Sequence, residues 1–227
     1  MFRSVKRWNV FLLLAVLTYG QSVEAATHDS PPMKTILVLG DSLSDGFQLR
    51  RSEAYPALLV DKLRDAGLSY EVINASESGG TSEGGLLRLP PHLKQKIDIF
   101  ILELGINDAF LGRPISEIRG NLQAIIDKVR EKNPRVRIVI AGMHIPNDAI
   151  EDYVSAFSQM YGALAAQNRT VLVPSLLEGV AGDPNLSFPD RFHPNAAGHQ
   201  ILAQNVWRVL EPVAREVATG SAQVHLK

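Results

Sequence analysis

Five short apolar runs alternate with longer amphipathic stretches, and this alternation constrains the fold more than any other feature. Lys34 to Leu39, Tyr70 to Ile73, Ile97 to Leu104, Val136 to Ala141 and Thr170 to Val173 are short and rich in β-branched residues. Such runs read as strands buried on both faces. Between them the apolar spacing changes to that of a helix. Ile115, Ile118, Leu122, Ile125, Ile126 and Val129 form one stripe, ended by Asn133-Pro134. Tyr153, Val154, Phe157, Met160, Tyr161 and Leu164 form a second, and Ile201, Leu202, Val206, Val209, Leu210 and Val213 a third. Residues 53–66 predict a further helix, closed by Gly67. Strands alternating with helices predict an α/β fold with a five-stranded parallel sheet. Right-handed crossovers then give a three-layer α/β/α sandwich.

No linker, repeat or change of composition interrupts residues 34–218, which predicts one domain, with 219–227 as a tail. Hydrophobic residues at 45% against 21% charged exclude a disordered chain. The 23 Lys+Arg and 24 Asp+Glu nearly cancel, so no nucleic-acid partner is expected. The chain contains no cysteine, which excludes a disulfide scaffold, a thiol nucleophile and thiolate metal sites.

The N-terminus reads differently from the rest. Arg3, Lys6 and Arg7 precede an apolar run from Val10 to Leu17, and Val23 and Ala25 fit a small-residue cleavage pattern. This is the layout of a secretory signal peptide over residues 1–25, cut after Ala25. The run is short of the roughly 20 apolar residues that a membrane-spanning helix needs. Residues 26–33 read as a short tether. A periplasmic or secreted protein is expected.

In a parallel α/β sheet, ligands bind beyond the carboxyl ends of the strands. Four such ends are polar or Gly-rich: Gly40-Asp41-Ser42-Leu43-Ser44, Asn74 to Gly80, Gly105-Ile106-Asn107-Asp108 and Gly142-Met143-His144. Without cysteine, serine is the first nucleophile to consider, and serine needs a base. Of the six histidines, His28 and His225 fall in the predicted tails, and His92 follows Pro90-Pro91 with no acid near it. His199 lies inside the last helix, and His144 reads as a packed, hydrogen-bonded loop residue. His193 differs, because Asp190 precedes it by three residues and Pro194 follows. Pro194 biases His193 away from helical dihedrals and suits the first position of the last helix. Asp190 can accept from Nδ1–H of His193, leaving Nε2 free to take a proton from Ser42. Ser44 rivals Ser42, and Asp108 rivals Asp190. A serine after a strand-end glycine is also ordinary turn chemistry, so these residues alone leave both readings open. No G-x-S-x-G elbow surrounds Ser42, which excludes an ordinary α/β-hydrolase. The stretch from Gly79 to Gly85 lacks the features of a P-loop. No His/Asp/Glu cluster has zinc or calcium spacing, so no metal and no cofactor is expected.

Gly40-Asp41-Ser42-Leu43-Ser44 resembles the first block of the GDSL, or SGNH, hydrolases. Gly79 matches the second block, Gly105-x-Asn107-Asp108 the third and Asp190-x-x-His193-Pro194 the fifth, all in order through the predicted domain. Asn74-Ala-Ser76, Thr81-Ser82, Gly85-Leu86-x-Arg88-Leu89-Pro90, Glu103-Leu104-Gly105, Gly142-Met143-x-Ile145-Pro146 and Leu172-Val173-Pro174 resemble the branch of acyl-CoA thioesterase I, lysophospholipase and arylesterases.

The resemblance implies a flavodoxin-like sandwich carrying a serine esterase. Ser42 would be the nucleophile, His193 the general base and then acid, and Asp190 the orienting acid. The backbone N–H groups of Ser42 and Gly79 and the side-chain amide of Asn107 would form the oxyanion hole. The substrate would be a small-molecule or lipid acyl ester or thioester, with membrane contact at most transient through it. Two other readings stay open: a carbohydrate O-acetyl esterase on the same fold, and a non-catalytic ligand-binding module. Ile106 stands where relatives often carry glycine, and Glu77 where an apolar residue is common. Both bear on substrate preference. Loops at 81–95 and 144–152 are expected to set the depth of the pocket.

Overall fold

The computed structural model describes residues 33–145 and 151–220. The predicted leader, its cleavage site, the tether up to Pro32 and the tail beyond Gly220 lie outside the described residues. The chain enters the fold through β1 (Lys34–Leu39), a one-turn helix α1 (Ser42–Asp45), a 3-10 turn (Arg51–Glu53) and α2 (Tyr55–Asp65). β2 (Tyr70–Asn74), α3 (Ser82–Arg88), a second 3-10 turn (Pro90–Lys94) and β3 (Ile99–Leu102) follow. Then come α4 (Ile106–Phe110), α5 (Ile115–Lys132), β4 (Arg137–Ala141), α6 (Glu151–Asn168), β5 (Val171–Val173) and α7 (Ala196–Thr219).

All pairings are parallel, in the order β2-β1-β3-β4-β5. Ile36 lies opposite Val72 on one side and Ile99 on the other, and Ile101 lies opposite Val139. The inner strands are apolar because helices cover both their faces: Ile36–Leu39, Ile99–Leu102 and Ile138–Ala141 are buried. Each fully buried Leu or Ile side chain contributes about 1.5–3 kcal/mol relative to exposure. α2 packs on α7, while α3 packs on α5 and α5 on α6. These two groups are the outer layers of the α/β/α sandwich. The buried stripes of α5 (Ile118, Leu122, Ile125, Ile126, Val129) and α6 (Phe157, Met160, Tyr161, Leu164) are those the spacing predicts. In α7 the buried apolar residues include Leu202, Val206, Leu210 and Val213.

The chain runs from β1 outward to β2, then crosses to β3 on the other side of β1. That reversal opens a crevice beyond the carboxyl ends of β1 and β3. Two expectations need correction here. β3 ends at Leu102 rather than Leu104: Glu103 N–H still donates to Leu39 O at 2.9 Å, while its carboxylate turns toward the β1 end to accept the Asp41 N–H. Residues 81–95 are largely helical rather than loop. Thr81 caps α3 by accepting the Gly84 N–H at 3.1 Å. Poor helix formers at Gly84 and Gly85 hide the element from a propensity reading.

Candidate active site

Ser42 follows the carboxyl end of β1 as the first residue of α1. Asp41 caps that turn by accepting the Leu43 N–H at 2.9 Å. Ser42 is 5% exposed, and its Oγ lies 3.0 Å from Nε2 of His193. On the other side of the imidazole, Nδ1 lies 2.8 Å from Oδ2 of Asp190. Three residues separated by up to 151 positions therefore form one continuous hydrogen-bonded chain. Asp190 Oδ1 also accepts the N–H groups of Phe192 and His193, at 2.9 and 3.0 Å. Its pKa moves down: partial burial opposes ionisation, but the Phe192 N–H and the His193 ring outweigh it. A charged Asp190 holds the tautomer that leaves Nε2 free to accept the Ser42 proton.

The His193 loop is held from both sides. Phe188 N–H donates to the His193 carbonyl at 2.8 Å, and Pro194 bridges to Ser187. Asn195 caps α7 by accepting the N–H groups of Ala197 and Gly198. Pro194 therefore sits two residues ahead of the first helical position, not on it. Asn195 occupies the cap because its side chain satisfies two helix donors that a proline cannot.

The predicted oxyanion residues converge at the same end of the sheet. Among the described residues, the N–H groups of Ser42 and Gly79 have no acceptor. Gly79 stands at φ 78, a turn conformation that favours glycine. Asn107 lies in the first turn of α4, half-buried, and its Nδ2 donates to Gly80 O at 3.1 Å. That bond uses one amide hydrogen and leaves the second. Asp108, buried beside it, accepts Ser82 N–H at 2.8 Å and Ser82 Oγ–H at 2.6 Å, so it ties α4 to α3.

Other candidates separate from this cluster. Ser44 is fully buried and bonded to Glu103 and Tyr55, whereas it is Ser42 that meets His193. His199 is buried, and its Nδ1 accepts the Tyr55 N–H at 3.1 Å. His144 is bonded to Ser158 Oγ at 2.9 Å but is exposed, not packed. Ile106 is buried in the core, whereas Glu77 is exposed.

Three groups escaped the sequence reading. Aromatic rings flank the base: Phe47 at 4.3 Å and Phe192 at 4.9 Å from the imidazole, with Phe110 a further 5.0 Å from Phe192. Phe110 and Leu111 are 54% and 64% exposed. Arg88 donates Nη2–H to Gly40 O at 2.5 Å, and Glu103 Oε2 accepts the Asp41 N–H at 3.1 Å. Arg88 and Glu103 stand in segments that resemble the thioesterase branch, but nothing in those segments gives either residue a role. Among the described residues no group of three His, Asp or Glu could hold a metal ion. A cavity of about 390 Å³ lined by Lys34, Asp98, Arg137 and Glu216 contains none of the site residues.

Residues 38–201 match the model of the GDSL-like lipase/acylhydrolase family. Esterase TesA of Pseudomonas aeruginosa is 41% identical over 181 residues, covering 79% of this chain and 89% of that protein. The thioesterase 1/protease 1/lysophospholipase L1 of Escherichia coli K12 is 36% identical over 214 residues, covering 93% of this chain and 96% of that protein. A crystal structure of TesA superposes with a TM-score of 0.76 at 40% identity, over 79% of this chain and 99% of that one. With the β1 end and the His193 loop inside the matched span, the chain belongs to the GDSL-like lipase/acylhydrolase family and is a hydrolase of ester or thioester bonds.

Proposed function

We propose that residues 34–218 form a serine esterase domain with Ser42, His193 and Asp190 as its catalytic triad. The observation that carries this reading is the hydrogen-bonded chain from Ser42 Oγ through His193 to Asp190, at 3.0 and 2.8 Å. Ser42 Oγ attacks the acyl carbonyl while Nε2 of His193 takes its proton. The carbonyl oxygen becomes an oxyanion and accepts from Ser42 N–H, Gly79 N–H and the Asn107 amide. Donors fixed in advance cost no reorganisation as that charge develops. The intermediate then collapses. The bond to the leaving oxygen or sulfur breaks, and the imidazolium returns its proton to that atom. Water attacks the acyl-serine with His193 again as base, releasing the acid and restoring Ser42. Asp190 keeps the imidazole oriented and stabilises its charged form throughout.

The rings of Phe47, Phe110 and Phe192 beside the base suit an acyl chain better than a hydroxyl-rich sugar. That supports acyl esters or thioesters over a carbohydrate O-acetyl group. Ser42→Ala should abolish turnover of a short-chain p-nitrophenyl ester and labelling by a fluorophosphonate. Retained turnover or labelling in that variant would overturn the assignment. A series of acyl lengths, run beside acetylated sugars, reads the substrate class.

The charged leader, its apolar run and the Ala25 boundary support export to the periplasm or beyond. Mass spectrometry of the protein from fractionated cells tests this. A mature chain beginning at Ala26 outside the cytoplasm is the expected result, and a cytoplasmic chain beginning at Met1 would overturn it.

A further inference from the structure

Two carboxyl groups sit buried beside the nucleophile, and the reaction above makes no use of them. Asp41 and Glu103 are both fully buried. Asp41 Oδ1 accepts the Leu43 N–H at 2.9 Å. Glu103 Oε2 accepts the Asp41 N–H at 3.1 Å and the Ser44 Oγ–H at 2.6 Å. The Ser44 hydroxyl in turn lies 2.8 Å from Tyr55 OH. One oxygen of each acid, Asp41 Oδ2 and Glu103 Oε1, is buried with no donor among the described residues.

The Asp41 N–H bond to Glu103 sets the two acids beside each other, where a hydrogen bond between the carboxyl groups would meet the two oxygens left without a donor. Such a bond requires that one of them be protonated, since an ionised carboxylate only accepts. With no proton, two buried anions face each other, at a cost far above any hydrogen bond. With two, one O–H is left without an acceptor. With one, the pair is satisfied, and Asp41 Oδ2 and Glu103 Oε1 are the oxygens left to take it up. Room for this is built in, because a Cβ on Gly40 would lie 2.5 Å from both Glu103 Oε2 and Ser44 Oγ.

We propose that Asp41 and Glu103 share a single proton, and that this acid pair is a positioning device that holds the Gly40–Ser44 turn so that Ser42 presents both its Oγ and its N–H. The proposal rests on the reading of Ser42 as nucleophile. Burial raises both acids, Glu103 well above the usual carboxyl range and Asp41 to about 7. The Leu43 N–H, Arg88 and the bond to Glu103 hold Asp41 the lower of the two. The proton therefore belongs to the pair as a unit, held between Glu103 and Asp41. The charged and titratable groups facing the pair are Tyr55 from α2, Arg88 from α3, Asp108 from α4 and Tyr161 from α6. Both tyrosines are pushed up by burial and stay neutral, so among the described residues Arg88 is the cation that offsets the pair's negative charge.

Amide substitutions separate this arrangement from ordinary packing. In Glu103→Gln the amide oxygen can take the two donors on Oε2, and its NH₂ can donate to Asp41 without ever losing that proton. The variant should keep kcat within about tenfold of the wild type at neutral pH, the scale of one altered hydrogen bond. It should also lack the alkaline fall in kcat that the wild type shows when the pair loses its last proton. Glu103→Ala should lose roughly a hundredfold or more, because donors are left unmet. Asp41→Asn alone still leaves one donor and one acceptor, but Asp41→Asn with Glu103→Gln sets two NH₂ groups against each other. The double variant should lose more in Tm and kcat than the two single losses combined. An alkaline limb in Glu103→Gln identical to the wild type's, or additive losses in the double variant, would overturn the shared proton. Repeating the Tm cycle in a Ser42→Ala background reads the pair without turnover. Turnover retained by Ser42→Ala would instead sink the nucleophile assignment while leaving that cycle intact.

Discussion

The guanidinium of Arg88 donates to the carbonyl oxygen of Gly40 at 2.5 Å, and its Nε donates to Ala75 O at 3.4 Å. One side chain on α3 thus joins the residue two before Ser42 to the segment that leads into Gly79. Both backbone N–H groups assigned to the oxyanion hole hang on that link. Burial lowers the pKa of Arg88, with Glu77, Asp41 and Glu103 acting against it. The planar fork is pre-organised for two carbonyls, which a lysine ammonium on a flexible stem is not. Arg88→Lys should lower kcat about tenfold, and Arg88→Ala about a hundredfold, as one and then two charge-assisted hydrogen bonds are lost. KM should change less than kcat. Steady-state kinetics on a p-nitrophenyl ester, with Tm as the check on folding, tests this. A lysine variant with wild-type kcat would show that the fork is not needed.

Asn107 stands on α4 with one amide hydrogen on Gly80 O and the other available. Removing one oxyanion donor typically costs about 10²–10³ in kcat. Asn107→Ala should show a loss of that size with KM nearly unchanged, because the interaction is made in the transition state. Asn107→Asp should be no better, since a carboxylate repels the developing charge. A variant that raises KM while keeping kcat would place Asn107 in ground-state binding instead.

The inner strands could be read from sequence because Ile36–Leu39, Ile99–Leu102 and Ile138–Ala141 are apolar throughout, as burial on two faces demands. Ser42, Asn107 and the His193 loop could be read because each stands just past an apolar run or at the mouth of a helix. The role of Glu103, inside the run from Ile97 to Leu104, was hidden even though its segment resembles the family. A carboxyl there makes sense only once Asp41 and Ser44, 62 and 59 positions away, are folded against it. The role of Arg88 was hidden for the same reason, since its partner Gly40 lies 48 positions back. α3 was hidden by its own glycines, and its start shows only as the Thr81 cap and the Ser82–Asp108 bonds.

Asp190 is 39% exposed at its side chain, so solvent screens part of its charge. Replacing a buried triad carboxylate by its amide can cost about 10⁴ in kcat, mainly by favouring the wrong imidazole tautomer. Asp190→Asn should fall short of that, at about 10³, because water can partly replace the acceptor on Nδ1. Asp190→Ala should be worse in stability as well, since the N–H groups of Phe192 and His193 lose their acceptor. A kcat within tenfold of wild type for the amide would remove Asp190 from the triad.

His199 gives a prediction about stability rather than turnover. It is 1% exposed, and its Nδ1 accepts the Tyr55 N–H, so the neutral ring is the form the fold needs. Burial lowers its pKa to about 4 from an ordinary 6.5. Between those values the unfolded chain binds a proton that the folded chain refuses. Stability therefore rises with pH through that window. Above 6.5 His199 has no effect, and by pH 5 it should cost about 2 kcal/mol. The Asp41–Glu103 pair titrates with the opposite sign, because acids raised by burial lose stability as pH rises. The raw pH profile therefore mixes the two. His199→Asn keeps an acceptor near Nδ1 and cannot be protonated, so the difference between it and the wild type cancels the acid pair. Urea unfolding of both at pH 7.5 and pH 5 should show the wild type losing about 2 kcal/mol more than the variant between these values. Equal losses would mean that His199 accepts a proton in the folded state and that the Tyr55 N–H is not what keeps it neutral.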